Sequence, residues 1–248
     1  MTGELFNSLR RYGEIIRNYD KYPRYGPDGR LIPSSPEQME RNVMDQLGVD
    51  SMPELETKMA DQERALEYLE TLKDMPSEVT DGNIRVTDKE RNGGRDCRLR
   101  TYREGCAPPH STPHHVVADR VFRKPGSSET YPGGIPHADG YCICVSNGTP
   151  IRRGSGLNEH GRIHILQDAG ETYLGDNSSP KHTATLGDLE NLGVAAAAAV
   201  TGCDPIAMKV QLRAYHQGKG LPSPSRWRAD PLGRYDVNGV GVGPGSRY

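Results

Sequence analysis

The sequence predicts an α+β fold in which helices flank a short segment of strands and loops. Apolar residues recur at helical spacing before about residue 80 and again after about residue 157. Between these regions, short runs of β-forming residues alternate with turn residues. The 29 glycines and 19 prolines, with an aromatic content of 6%, predict a modest core and many loops.

The first region, residues 1–85, is predicted to be helical. Its last periodic segment is "SMPELETKMADQERALEYLETLKDM", and the apolar positions at helical spacing in it are Leu55, Met59, Leu66, Leu69 and Leu72. The region has no cluster of catalytic residue types, and a Gly-, Asn- and charge-rich stretch follows near residue 82. We therefore expect an adaptor or docking region that packs as a separate unit.

The second region, residues 86–218, is predicted to hold the strands and three helices. "HHVVADRVF" and "GYCICVSNGT" favour strands, and "GLNEHGRIHILQDAGE" favours a helix with Asn158 as a possible N-cap. Two further helical segments follow, "TLGDLENLGVAAAAAVTGC" and "DPIAMKVQLRAYHQG". Residues 219–248 are rich in Gly, Pro and charge, and they predict an extended or disordered tail.

Charge and hydropathy exclude several classes of protein. The formal net charge is -2, so there is no global basic field, and any contact with nucleic acid has to come from local patches. No apolar run is long enough to span a bilayer. The beginning, "MTGELFNSLRRYG", lacks the apolar core of a Sec signal peptide, so we expect no membrane span and, if the protein is secreted, a route without that signal.

The five cysteines do not require a disulfide framework, because their number is odd and the chain is not short. Cys142 and Cys144 are two residues apart in a predicted strand, which points both thiols to one face. We interpret these two as buried core cysteines rather than as metal ligands. Whether any cysteines pair is left open by the sequence.

The most informative residues are histidines. His160 and His164 are four residues apart in a predicted helix, so both imidazoles project from the same face. Two neutral imidazoles at that spacing can share one metal ion. A metalloprotease would also need a glutamate directly after the first histidine, where this chain has Gly161. A zinc deaminase would need H-x-E and P-C-x-x-C motifs, and neither is present.

A second pair of histidines could supply a third metal ligand and a general base, neither of which the two helix histidines provide. In "TPHHVV", His114 and His115 are adjacent at a predicted strand, so their side chains point to opposite sides. One of them can bind the metal ion while the other faces the substrate as a base that titrates near neutrality. Three histidine ligands leave positions on the ion open, an arrangement suited to phosphodiester hydrolysis.

The order of these motifs resembles that of the HNH or ββα-metal nucleases. In the toxin domains of the HNH/endonuclease VII group from bacterial polymorphic toxins, a His-His block follows a Cys-containing loop. A "C-I-C-V" strand and an "H-G-x-x-H" helix come next. This chain has "GCAPPHSTPHHVV", "YCICVSNG" and "EHGRIH" in that order, followed by "TGCDPIAMKVQLRAYH". The resemblance covers residues 95 to 217 and implies a small HNH-like core with additional C-terminal helices.

The resemblance also implies roles for individual residues. His114, His160 and His164 would be the ligands of one divalent metal ion, whether Zn, Mg, Mn or Ni. His115 would be the general base. Asn147 would be the asparagine that fixes the histidine-bearing loop, although Asn158 competes for that role and is equally suited to cap the helix.

Arginines are concentrated around the motifs. From these we single out Arg100, Arg120 and Arg162 as candidate substrate-binding residues, because guanidinium groups bind phosphate. Nothing in the sequence suggests that bases are read, so we expect cleavage without sequence preference.

The resemblance implies a metal-dependent DNA endonuclease that acts as an antibacterial toxin. Such a toxin would be made in the producer cytoplasm, exported by a type VI-like route that needs no Sec signal, and delivered into the target-cell cytoplasm. Its partners would be double-stranded DNA, a cognate immunity protein, and a delivery component or chaperone bound through residues 1–85. The alternative is a non-catalytic, zinc-stabilised binding or structural module of a secretion or phage system. The native metal and the preference for DNA over RNA are left open.

Overall fold

A computed structural model of the chain describes residues 52–75, 95–110, 112–146 and 158–237. Residues 1–51 of the region predicted to be helical, and Asn147, lie outside these residues. In the described part, the helices are α1 Met52–Lys73, α2 Glu159–Asp176, α3 Leu186–Thr201 and α4 Pro205–Gly218. The strands are β1 Arg100–Thr101, β2 Thr112–His115, β3 Tyr141–Val145, β4 Thr183–Thr185 and β5 Arg226–Arg228. The described chain is therefore α+β, as the sequence predicted.

The strands form two small antiparallel sheets. The first has the order β1-β3-β2, with β3 in the centre. In its register His114 lies opposite Ile143 and His115 opposite Cys142. The strand predicted from "HHVVADRVF" ends earlier than expected, because the chain turns after His115 and forms a 3-10 helix at Asp119–Phe122. The second sheet pairs β4 with β5.

Helix α3 lies at the centre of the core. The run Val194–Ala199 is buried on all sides, so its small side chains let the other helices approach closely. Thr185 caps its first turn by accepting the backbone N–H of Asp188. Gly202 ends it in the left-handed conformation with φ 74°, which glycine adopts without a steric penalty.

A buried ion-pair network joins α3 to α4. Glu190 is fully buried and accepts hydrogen bonds from Lys209 Nζ at 2.8 Å, Arg213 at 2.6 Å and His216 Nδ1 at 2.6 Å. Because a buried carboxylate is costly without partners, these three donors from α4 fix how that helix packs on α3.

Helix α1 packs on the same core instead of forming a separate unit, unlike what we predicted for residues 1–85. It lies mainly against α3, and Leu72 is buried in the shared core. Arg64 donates from Nε to the carbonyl of Ala199 at 2.9 Å. The boundary near residue 85 therefore does not separate the described part of that region from the rest.

The predicted tail also differs from what we expected, over the part that the structure describes. Strand β5 pairs with β4, placing Trp227 opposite Ala184. Trp227 is fully buried and its ring packs edge-on against Phe122. Burial of this large aromatic side chain contributes a substantial share of the hydrophobic stabilisation of a modest core. The Gly and Pro content around it concealed this strand in the sequence.

Two disulfides connect segments that are distant in sequence. Cys97 is bonded to Cys203 and Cys106 to Cys144, closing sequence separations of 106 and 38 residues. Cys142 and Cys144 are both buried, as predicted. The sequence left the pairing open, and the structure shows that Cys144 is disulfide-bonded whereas Cys142 is free. Within the described residues, no helix combines the length and apolar character that a membrane span requires.

Candidate metal centre and its histidine base

The site is built where the end of β3 meets the beginning of α2. Glu159, in the first turn of α2, accepts the backbone N–H of Ser146 at 2.7 Å. Its carboxylate also pairs with Arg95, which donates in turn to the carbonyl of Cys144 at 3.0 Å. The helix N-terminus is thereby anchored to the strand, which fixes the direction in which α2 presents its side chains.

Asn158 is the N-cap of α2. Its side-chain oxygen accepts the backbone N–H of Gly161 at 2.8 Å. This is the capping role that we considered for Asn158. The predicted role of Asn147 lies outside the described residues.

Three imidazoles converge at this junction. One ligand nitrogen each of His114, His160 and His164 lies within 4.8 Å of the others. The ring centroids are 4.7–4.9 Å apart, and Nε2 of His160 lies 2.9 Å from Nε2 of His164. Two lone pairs repel at that distance unless a proton or a cation lies between them. We call these residues the three-histidine group.

The electrostatic surroundings keep this group neutral. Burial holds the pKa of His114 well below its usual value, and the neighbouring His164 and His160 rings lower it further. Burial and the His160 ring lower the pKa of His164 to about 4. Burial also lowers the pKa of His160. Neutral imidazoles are the form that binds metal ions, so no protons have to be displaced at neutral pH.

The donor set fits a divalent ion. Nδ1 of His114 is buried without a hydrogen-bond partner among the described residues. Buried polar atoms are rarely left without a partner unless a water molecule, an ion or a functional constraint explains them. Histidine nitrogens suit zinc, nickel and related ions, so the chemistry of the group agrees with a metal site.

His115 is directed away from this group, as expected for neighbouring residues in a strand. Its Nε2 lies 2.9 Å from the backbone carbonyl of His137, so Nε2 carries the proton and donates it. Its ring stacks on Tyr102, with centroids 4.9 Å apart and planes at 5°. The ring is thus held on two sides, and Nδ1 is the nitrogen left with a lone pair.

Charges around His115 act in opposite directions on its pKa. Burial lowers the pKa, whereas the His137 carbonyl and the Asp119 carboxylate favour the protonated ring. The net shift is downward, so the ring is neutral at pH 7 and able to accept a proton.

His115, Asp119 and His137 form a second group with metal-ligand spacing. Asp119 already pairs with Arg123 at 2.6 Å and with Nδ1 of His137 at 3.2 Å. A cation there would compete with Arg123 and displace the proton on Nε2 of His115. We therefore interpret this group as support for His115.

Two supporting residues were missed from the sequence. Gln167 is 1% exposed and its side chain contacts His114 and the backbone of Val116. Gly140 lies against the His115 ring, so that a Cβ added there would be 2.6 Å from Cδ2 of His115. A signal existed for Gln167, because it lies three residues after His164 on the same helix face. None existed for Gly140.

The three arginines predicted to bind substrate are all paired with carboxylates. Arg162 donates two hydrogen bonds of 2.6 Å to Asp61 of α1, which is 1% exposed. Arg120 holds the buried Glu171 through two bonds, and Arg100 pairs with Asp96. A phosphate would have to compete with these partners, so the pairing favours structural roles for Arg120 and Arg162.

No family model, curated protein or solved structure matches the chain. The geometry of the site and the order of its motifs are therefore the observations that bear on function.

Proposed function

We propose that this protein is a metal-dependent, sequence-non-specific DNA endonuclease of the ββα-metal type. The observation that carries the proposal is the position of the three-histidine group on one side of β2 and the oriented His115 on the other. The order of a strand with two histidines, a paired strand and a helix with two more histidines supports an HNH-like core.

His114, His160 and His164 would hold the metal ion. When bound, the ion would stabilise the negative charge that develops on the phosphate and on the leaving oxygen. Because all three ligands are histidines and none is a cysteine, the donor set favours a catalytic site over a closed structural one.

His115 would act as the general base. Its Nε2–H bond to the His137 carbonyl fixes the tautomer, so Nδ1 can accept the proton of an attacking water molecule. Stacking on Tyr102 holds the ring in place, which reduces the entropy lost on reaching the reactive arrangement. The protonated ring that results would be stabilised by the nearby Asp119 carboxylate.

Contact with the DNA backbone would come from exposed arginines. Arg103 follows Tyr102, and its side chain is 62% exposed in a pair with Asp139. Arg98 is 64% exposed in a pair with Asp96. Exposed pairs of this kind contribute little to stability, so these guanidinium groups can exchange a carboxylate for a phosphate at small cost. They fit backbone contact better than the partly buried Arg162, which is bound to Asp61.

The proposed setting is that of an antibacterial toxin with a cognate immunity protein and a delivery component. The resemblance to polymorphic-toxin nuclease domains supports it.

The test is cleavage of supercoiled plasmid DNA by the purified protein with Mg²⁺, Mn²⁺, Ni²⁺ or Zn²⁺, each with and without EDTA. We expect nicked and then linear DNA with at least one metal, and none with EDTA. A matched RNA substrate decides the nucleic-acid preference. Tight zinc binding without cleavage of either substrate would contradict the proposal and favour the zinc-stabilised binding module.

A further inference from the structure

Helix α2 presents more than the two histidines to the site. His160, His164, Gln167 and Glu171 are spaced by four, three and four residues, so they line one face of the helix. Gln167 and Glu171 are buried, with 1% and 2% exposure. Glu171 forms an ion pair with Arg120. Gln167 is directed at the one ligand that does not come from α2.

Gln167 has one orientation that satisfies both ends of its amide. Its Nε2 donates to the carbonyl of Val116 at 2.8 Å and lies 3.4 Å from the carbonyl of His115. A carbonyl cannot donate, so the nitrogen of the amide has to face these two oxygens. The Oε1 atom therefore faces His114, with its oxygen 3.2 Å from Nε2 of that ring.

The carbonyl of Val116 is itself held in place. Helix α3 approaches it so closely at Gly193 that an added Cβ would lie 1.8 Å from the Val116 oxygen. The acceptor that orients Gln167 therefore belongs to the rigid centre of the core, and the amide cannot easily turn over.

This chain of contacts determines the tautomer of His114. An amide oxygen only accepts, so Nε2 of His114 has to carry the ring proton. Its Nδ1 then keeps the lone pair, and Nδ1 is the atom that is buried without a partner among the described residues. We infer that Gln167 is a positioning residue that holds His114 in the Nε2-protonated tautomer, reserving Nδ1 for the metal ion. The metal-binding part of this inference rests on the proposed function.

The tautomer is measured directly in the metal-free protein. Long-range ¹H–¹⁵N correlation spectra of the wild type should show His114 protonated at Nε2 and unprotonated at Nδ1. The Gln167→Met variant, which keeps the length of the side chain but removes the acceptor, should lose that single-tautomer signature. A wild-type His114 protonated at Nδ1 would overturn the inference even if no variant folds.

Zinc affinity gives the second measurement, by competition with a chromophoric chelator. Gln167→Met should weaken zinc binding about 10–100-fold, as is typical when a hydrogen-bond partner of a ligand is removed. Gln167→Glu should restore the affinity only in part, because a carboxylate oxygen also accepts from Nε2–H but its second oxygen faces the Val116 carbonyl, to which it cannot donate. Affinity equal to that of the wild type in Gln167→Met would overturn the inference.

Gln211→Met is the matched control. Gln211 lies in α4, accepts the backbone N–H of Leu99 at 2.9 Å and donates to Ala207 at 3.2 Å, so its loss removes comparable hydrogen bonds away from the site. This variant should bind zinc as the wild type does, and an equal loss of affinity would contradict a specific role for Gln167. If the wild type binds no metal ion at all, the proposed function fails, while the tautomer measurement still decides what Gln167 does.

Discussion

At the scale of single residues, the site depends on a division between two adjacent histidines. His114 is 2% exposed and faces the helix histidines, whereas His115 faces Tyr102 and the His137 carbonyl. Alternation along a strand is sufficient to separate the two rings. Each ring then makes its own hydrogen bond, and that bond determines which of its two nitrogens carries the proton.

Gly140 is predicted to be essential for the position of His115. Gly140→Ala would place a methyl group 2.6 Å from Cδ2 and 3.0 Å from Nε2 of that ring, so the imidazole has to move. We expect DNA cleavage to fall by about 10²-fold, as for displacement of a catalytic group, while zinc binding is retained. Gly218→Ala is the control, since nothing lies within 4 Å of its Cβ position. Full activity in Gly140→Ala would show that the ring position does not matter.

The stability of the metal-free protein is predicted to fall as the pH drops below about 6.5. The pKa values of His114, His160 and His164 are lowered in the fold, mainly by burial, and that of His164 is lowered to about 4. Between these two pH values the unfolded chain protonates His164 whereas the folded chain does not, which costs up to about 1.4 kcal/mol per pH unit for that ring. The lowered pKa values of His114 and His160 act in the same direction.

Urea unfolding in EDTA at pH 7, 6 and 5 measures this dependence. His164→Gln should show a shallower decline than the wild type, because one of the three rings no longer titrates. Equal pH dependence in the two proteins would contradict the burial of a neutral His164.

At the scale of elements, α2 contributes two of the three histidines of the site, and α1 is bonded to α2. Arg162 lies between the two helix ligands in sequence and bonds to Asp61, which is 1% exposed. The sequence singled out Arg162 as a candidate substrate-binding residue. The sequence could not reveal that a buried aspartate from a distant helix forms an ion pair with this guanidinium.

Arg162→Met is therefore predicted to act on stability. Removing the guanidinium leaves Asp61 with fewer buried partners, which should cost about 1–3 kcal/mol in the free energy of unfolding. DNA affinity should be unchanged. Arg103→Met should have the opposite effects. Its free energy of unfolding should stay within about 0.5 kcal/mol of the wild type. The slope of DNA affinity against salt concentration should decrease by the amount expected for the loss of about one phosphate contact. Weakened DNA binding with intact stability in Arg162→Met would restore its predicted substrate role.

At the scale of the whole molecule, local signals predicted the elements and not their tertiary packing. Helices α2, α3 and α4 have N-cap residues and apolar spacing that can be read from the sequence, and β3 is a clear β-forming run. Trp227 in a Gly- and Pro-rich segment and the docking of α1 on α3 depend on contacts between distant parts of the chain. The histidine spacing was informative because side-chain direction is fixed locally, both for residues one helical turn apart and for adjacent residues in a strand.

The disulfides are predicted to stabilise the fold substantially. Closing separations of 106 and 38 residues restricts the unfolded chain, contributing about 4–5 kcal/mol for each bond in the loop-entropy account. Reduction should thus lower the urea midpoint sharply. Thiol titration of denatured, unreduced protein should detect one of the five cysteines, Cys142. Five reactive thiols would contradict both bonds. Cys142→Ala is the control and should keep both bonds.

In the proposed mechanism, His115 takes the proton while the three-histidine group holds the metal ion. The most direct measurement pairs metal content by elemental analysis with plasmid nicking for His115→Ala and His164→Ala. We predict that His115→Ala keeps the metal ion and loses about 10²–10⁴-fold in cleavage rate, whereas His164→Ala loses both the metal ion and cleavage. Loss of the metal ion in His115→Ala, or cleavage by it at the wild-type rate, would contradict these roles.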